Sequence, residues 1–130
     1  MIVIDASVLV AAFLVDRQFG AWAARAVSEF DLCAPSLAPF EAANIIRRHA
    51  AAGLVDARLA AAAHRDLALL TVEYWPYHAV SMRCWELRQN LTIYDAAYVA
   101  VAEATQSPLY TLDQRLASAS GPTCRFETPR

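Results

Sequence analysis

Short apolar runs alternate along the chain with longer segments in which apolar residues recur at helical spacing. Met1–Ile4 is a β-branched run ending at Asp5, the pattern of a strand buried on both faces of a parallel sheet. Ser7–Val15 follows as a helix with Ser7 as its N-cap, and Gly20–Phe30 carries a second helix. Leu32–Ala34 reads as a short strand closed by Pro35. A helix from Ser36 to about Gly53 carries Phe40, Ala43, Ile46 and Arg47, and Asp56 caps another that runs through Leu59, Ala63, Leu67 and Leu70. After Pro76, Tyr77–Val80 reads as a third strand and Ser81–Gln89 as a helix. Thr92 or Tyr94 opens the helix Asp95–Thr105, with Ala96, Val99, Ala100 and Glu103 on its face. Pro108–Leu112 is then a strand, Asp113–Ala119 a short helix, and Arg125–Glu127 a last edge strand. Strands and helices alternating in this way predict βαβ units, a parallel sheet and one compact α/β domain over residues 1–130.

A length of 130 residues fits a single core and needs no disulfide or metal staple. With 58% apolar and 18% charged residues, disorder, collagen-like repeats and acidic tails are excluded. A net charge of −2 speaks against a strongly basic nucleic-acid binder. Contacts to phosphate would have to come from local positive charge, for which Arg47, Arg48 and Arg115 are the candidates beside an ordinary solvated surface. A mean hydropathy of +0.29 points to apolar surface covered by another chain. Cys33, Cys84 and Cys124 form no CxxC pair and match no histidine spacing, so reduced thiols and a cytoplasmic location are expected rather than a zinc site. No apolar run is long enough to span a membrane. Ala6–Val15 followed by Ala21-Trp22-Ala23 mimics a signal segment, but no positive charge precedes it and Asp5 interrupts it.

In an open parallel sheet, ligands bind beyond the carboxyl ends of the strands. Asp5 directly follows the first strand and Asp113 directly follows Pro108–Leu112, so both enter one crevice if those strands lie close together. Asp95 opens a strongly apolar helix, and Glu41 lies about one turn into another. Each has a plain structural alternative: Asp95 and Asp113 favour a helix macrodipole, and Glu41 suits a solvated helix face. Asp5 is the hardest to explain in that way, because a buried carboxylate must be paired or bind a cation and no arginine is near it in sequence. Two carboxylates ~4 Å apart repel by about 4 kcal/mol at an effective dielectric of ~20. Protonation relieves such a cluster, and so does Mg²⁺ or Mn²⁺, whose hard character matches a donor set without histidine or cysteine. A carboxylate-bound Mg²⁺ usually handles phosphates.

The chain resembles a PIN-domain ribonuclease of the VapC type, the toxin of bacterial toxin–antitoxin pairs. The matching fragments run from end to end: Ile2-Val3-Ile4-Asp5-Ala6-Ser7, Glu41-Ala42-Ala43-Asn44, Tyr94-Asp95-Ala96-Ala97-Tyr98-Val99-Ala100 and Tyr110-Thr111-Leu112-Asp113-Gln114-Arg115-Leu116-Ala117. Each is short, and it is their order and spacing that are specific. The resemblance implies a three-layer α/β/α sandwich on a mostly parallel sheet, with Asp5, Glu41, Asp95 and Asp113 as catalytic acids. It implies one or two Mg²⁺ or Mn²⁺ ions and metal-dependent hydrolysis of single-stranded or loop RNA. Asp5 and Asp95 would be the principal metal ligands, Asp113 a direct or water-mediated one, and Glu41 the holder of a water or a second ion. Ser7, Asn44 and Thr111 match polar positions that orient the acids. The resemblance also implies a homodimer and a cognate antitoxin lying across the acidic groove.

Other classes fit less well. A haloacid-dehalogenase-type phosphatase needs a second aspartate two residues after the first, where Ser7 stands. A dinucleotide-binding domain needs a glycine-rich turn after the first strand, and none of the three glycines is there. The non-enzymatic rival is a PIN-like module that binds RNA or a partner without cutting, against which all four acids are present. His49 and His64 fall in expected helices and His78 in an expected strand, so all three read as structural. Trp22, Trp75 and Trp85 are candidates for base stacking, though core packing or a protein interface explains them more simply.

Overall fold

A computed structural model describes residues 1–130. Five short strands form one sheet: β1 (Ile2–Ile4), β2 (Leu32–Pro35), β3 (Glu73–Trp75), β4 (Leu109–Tyr110) and β5 (Phe126–Glu127). Their order is β3-β2-β1-β4-β5, and every pairing is parallel. The helices are α1 (Ala6–Phe13), α2 (Gly20–Glu29), α3 (Ala38–Ala51), α4 (Ala57–Leu69), α5 (Ser81–Glu86), α6 (Ile93–Thr105) and α7 (Gln114–Ala117).

The period-2 alternation of β1 sorts its side chains between two cores. Ile2 and Ile4 pack with α1 to α4 on one face, whereas Val3 packs with α5, α6 and α7 on the other. Both faces are thus covered, as an all-parallel sheet requires, and the result is the expected three-layer sandwich. Helix α6 has no single apolar face. Every residue from Ala96 to Ala102 is buried, and small side chains let the helix lie in the middle of its layer. The expected face of Ala96, Val99, Ala100 and Glu103 therefore understates its burial. Gly20 starts α2 where a Cβ would sit 3.1 Å from the Val15 backbone, so a side chain there would press on the turn that leaves α1.

Two expectations fail. The third strand is Glu73–Trp75, not Tyr77–Val80, which forms a 3-10 turn ending at Ala79. The strand lies at the sheet edge with one polar and one aromatic side chain exposed, so it carries no apolar run. Pro76, taken as the strand's lead-in, instead closes it. Second, Ser7 does not cap α1. Asp5 does, its Oδ1 accepting from the Val8 N–H at 3.2 Å, while Ser7 sits inside the helix. Helix α6 is capped by Thr92, the first of the two expected alternatives.

Candidate active site

Strands β1 and β4 are hydrogen-bonded neighbours, with Val3 opposite Leu109 and Ile4 opposite Tyr110. On one side of that seam the chain runs through β2 to β3, and on the other through β4 to β5, so the seam is the topological switch point. Asp5 and the Thr111–Asp113 turn leave the sheet there side by side.

Asp5 is 6% exposed. Its Oδ1 accepts from Ser7 Oγ and the Val8 N–H, and its Oδ2 accepts from Thr111 Oγ1. Ser7 Oγ also accepts from the Leu112 N–H at 3.1 Å, and Thr111 Oγ1 from the Asp113 N–H at 2.9 Å. The two hydroxyls therefore lock the carboxylate to both strand ends. Burial pushes the Asp5 carboxyl up from 3.8 to about 6, and the hydrogen bonds from Ser7, Thr111 and the backbone only partly offset it. No positive charge neutralises Asp5.

Asp113 caps α7, with Oδ1 accepting from the N–H groups of Arg115 and Leu116 at 3.0 and 3.2 Å. Asp95 lies in the first turn of α6, so the macrodipole reading accounts for the placement of both residues. It does not account for their mutual effect. Desolvation and then the Asp113 charge raise the Asp95 carboxyl, with Arg115 a partial counterweight. Glu41 sits in the first turn of α3 and accepts at Oε1 from Tyr98 Oη at 2.7 Å. Tyr98 is 2% exposed, and burial, then the Glu41 bond, then the Glu41 and Asp5 charges hold its phenol strongly protonated. Tyr98 thus donates to Glu41 alone, and feels the Asp5 charge without bonding to it. Sequence reading did not single it out as a site residue, although its position three residues after Asp95 places both on one side of α6.

One expected support lies elsewhere. Asn44 is exposed and accepts from Arg47 Nε at 2.9 Å, bonding none of the four acids. The histidines stay outside the crevice chemistry: His49 Nδ1 pairs with the Ile45 carbonyl at 2.9 Å, and His64 and His78 are exposed. Trp22 stacks on Tyr110 with centroids 5.4 Å apart and Trp75 packs against the core, while Trp85 is exposed beneath Arg88.

Asp95 and Asp113 feel each other's charge, whereas Asp5 is bonded to Ser7 and Thr111 and Glu41 to Tyr98. Nowhere do three His, Cys, Asp or Glu side chains converge into a ready metal-binding set. The donors nevertheless fit a hard divalent cation. Mg²⁺ is usually held by one or two carboxylates, retains several waters, and completes its shell with substrate phosphate. A buried aspartate without a counter-charge beside a repelling Asp95–Asp113 pair is the environment such an ion relieves.

A parallel α/β/α sandwich whose switch-point strands lead into Asp5 and Asp113, with Asp95 close enough to Asp113 to feel its charge, suits phosphate-ester chemistry. The PIN domain family model matches residues 2–122. The chain is 39% identical over 127 residues to ribonuclease VapC9 of Mycobacterium tuberculosis, covering 95% of this chain and 94% of that one. It is 36% identical over 121 residues to ribonuclease VapC3 of Pyrobaculum aerophilum, covering 89% and 92%. The crystal structure of M. tuberculosis VapC20, a Sarcin-Ricin loop cleaving toxin, superposes with a TM-score of 0.69 over 91% of this chain and 94% of that one. Its sequence identity is 16%, so that likeness speaks for the fold. The chain belongs to the PIN-domain family, and its curated relatives there are VapC ribonucleases.

Proposed function

We propose that the chain is the ribonuclease toxin of a toxin–antitoxin pair and that its acidic crevice hydrolyses RNA phosphodiester bonds with Mg²⁺ or Mn²⁺. The observation that carries this reading is Asp5, a buried carboxylate without a cationic partner, fixed by two hydroxyls at the switch point of a PIN fold. Asp5 and Asp95 hold the ion, with Asp113 on the same rim. A bound cation would polarise the phosphodiester as a Lewis acid and offset the charge that develops on its oxygens. Ser7 and Thr111 aim the Asp5 oxygens, so the acid does not reorganise as RNA docks. Tyr98 fixes Glu41 Oε1, leaving the second carboxylate oxygen to accept a hydrogen bond from the attacking water. In the hydrolysis, water oxygen bonds to phosphorus and gives up one proton, the bond from phosphorus to the leaving sugar oxygen breaks, and that oxygen takes up a proton in turn.

A cognate antitoxin that covers the crevice, a homodimer and a cytoplasmic location complete the reading. Tyr77 and Met82, 52% and 84% exposed, supply apolar surface for a second chain. Three unpaired cysteines suit a reducing compartment, and no helix is long and apolar enough to cross a membrane. Incubating the antitoxin-free chain with total cellular RNA and Mn²⁺ tests the activity. Discrete fragments are expected, and excess EDTA or Asp5→Asn should abolish them. Cleavage at the unaltered rate in Asp5→Asn would refute the assigned site.

A further inference from the structure

Beside Asp95 opens a groove of about 690 Å³, between the loop that follows α5 and the segment that follows α7. Its lining is mostly polar: Asn90, Ser118 and Ser120 offer amide and hydroxyl groups, and Arg88 and Arg115 stand in its wall. Neither guanidinium is fully engaged. Arg115 has an 87% exposed side chain and lies 3.9 Å from Asp113 Oδ2, too loose to occupy its five donors. Arg88 is held in place without losing its charge. It lies 4.6 Å over the Trp85 ring and donates one N–H to the Trp85 carbonyl at 2.8 Å, which leaves its remaining N–H groups free. Arg88 has no carboxylate partner within salt-bridge distance. In a chain of net charge −2, a polar groove with two such arginines that ends on an acidic centre is built for an anion extending from that centre.

We infer that this groove is a phosphate subsite for single-stranded RNA, in which Arg88 and Arg115 grip backbone phosphates flanking the one at the acids. The inference rests on the ribonuclease reading. Arg88 gives a fixed, stacked contact and Arg115 a mobile one, while Asn90 and the two serines can hydrogen-bond sugar hydroxyls or bases. The groove holds the strand in register with Asp95 by contacts to phosphate, so it is tolerant of sequence.

Fluorescence anisotropy with a fluorescein-labelled, mixed-sequence 12-mer RNA in EDTA, where no cleavage intervenes, tests it across a salt series. Each lost phosphate contact on a single strand lowers the slope of log affinity against log salt by about 0.7. Arg88→Gln with Arg115→Gln should therefore flatten the slope by about 1.4 and weaken binding roughly ten-fold or more at moderate salt. Arg25→Gln with Arg65→Gln removes the same charge from α2 and α4 in the opposite layer and should leave the slope unchanged. All four arginines are exposed, so both double variants are expected to fold, which circular dichroism checks. Retained binding with an unaltered slope in the Arg88/Arg115 variant would overturn the subsite alone, as would an equal loss in the Arg25/Arg65 variant. A chain that binds no RNA before any substitution would overturn the subsite too, while the ribonuclease reading is decided separately by fragment formation with Mn²⁺.

Discussion

Replacing Asp5 by asparagine should make the metal-free protein more stable at neutral pH and less stable in acid. Burial raises the Asp5 carboxyl from 3.8 in the unfolded chain to about 6 in the fold. A raised folded-state value means that the proton binds the folded protein more tightly. The associated stability is fully present below pH ~4 and is lost as pH rises through about 6. At 1.36 kcal/mol per pH unit, the loss amounts to ~3 kcal/mol on the alkaline plateau. Asparagine does not titrate and escapes that loss. Its amide places an N–H₂ where one carboxylate oxygen accepted from Ser7 or Thr111, and one hydrogen bond forgone costs ~1 kcal/mol. The variant should therefore exceed the unaltered chain by about 2 kcal/mol at pH 8, and the two stability curves should cross at pH ~4.5. Thermal unfolding in EDTA from pH ~3.5 to ~8 reads this directly. About 8 °C separates the midpoints at pH 8 if ~1 kcal/mol corresponds to ~4 °C for a domain of this size. A difference that does not change with pH, or a variant less stable at pH 8, would refute the buried, unneutralised state of Asp5.

Three further outcomes follow from named contacts. Thr111→Val removes a donor to Asp5 and the acceptor of the Asp113 N–H, so it should destabilise by about 2–3 kcal/mol and move the acidic limb of the pH–rate profile to higher pH. Tyr98→Phe keeps the buried ring but frees Glu41. Denaturant unfolding should register a cost of about 1–2 kcal/mol, and RNA cleavage should fall at saturating substrate, so that kcat drops more than KM rises. Burial pushes Glu103 up, yet Arg83 and the Thr123 N–H outweigh it and hold the carboxyl below its usual range. Glu103→Gln should cost about 1–3 kcal/mol above pH 5 and progressively less as pH falls, with RNA cleavage unchanged.

How much of this was legible in the sequence depended on how local the signal was. The Met1–Ile4 run, the β1 and β4 strand ends and the helix capped by Thr92 declare themselves within a few residues, and they place Asp5, Asp95 and Asp113 correctly on their elements. Edge strand β3 was lost because a strand buried on one side at most needs no apolar run, and Pro76 reads equally as an entrance or an exit. Ser7 and Asp5 are both good N-caps, and only the end of β1 decides that Asp5 takes the cap while Ser7 turns back to hold it. The Tyr98–Glu41 bond spans 57 residues, and no local pattern reports it. The Arg88 shelf over Trp85 needs the loop after α5 to be placed before its groove exists. Asn44 shows the opposite error: a polar residue three after Glu41 is on the exposed side of α3 and serves Arg47.

The most direct test of the central claim, that the switch-point acids bind a divalent cation, is thermal unfolding of the antitoxin-free chain with and without millimolar Mn²⁺, beside Asp95→Asn. Ligand that binds only the folded state raises its stability by RT ln(1 + [L]/Kd), about 2.7 kcal/mol when the concentration is 100-fold above Kd. The account predicts a rise of several degrees in the unaltered chain and little or none in Asp95→Asn. An equal rise in both, or none in either, would contradict it.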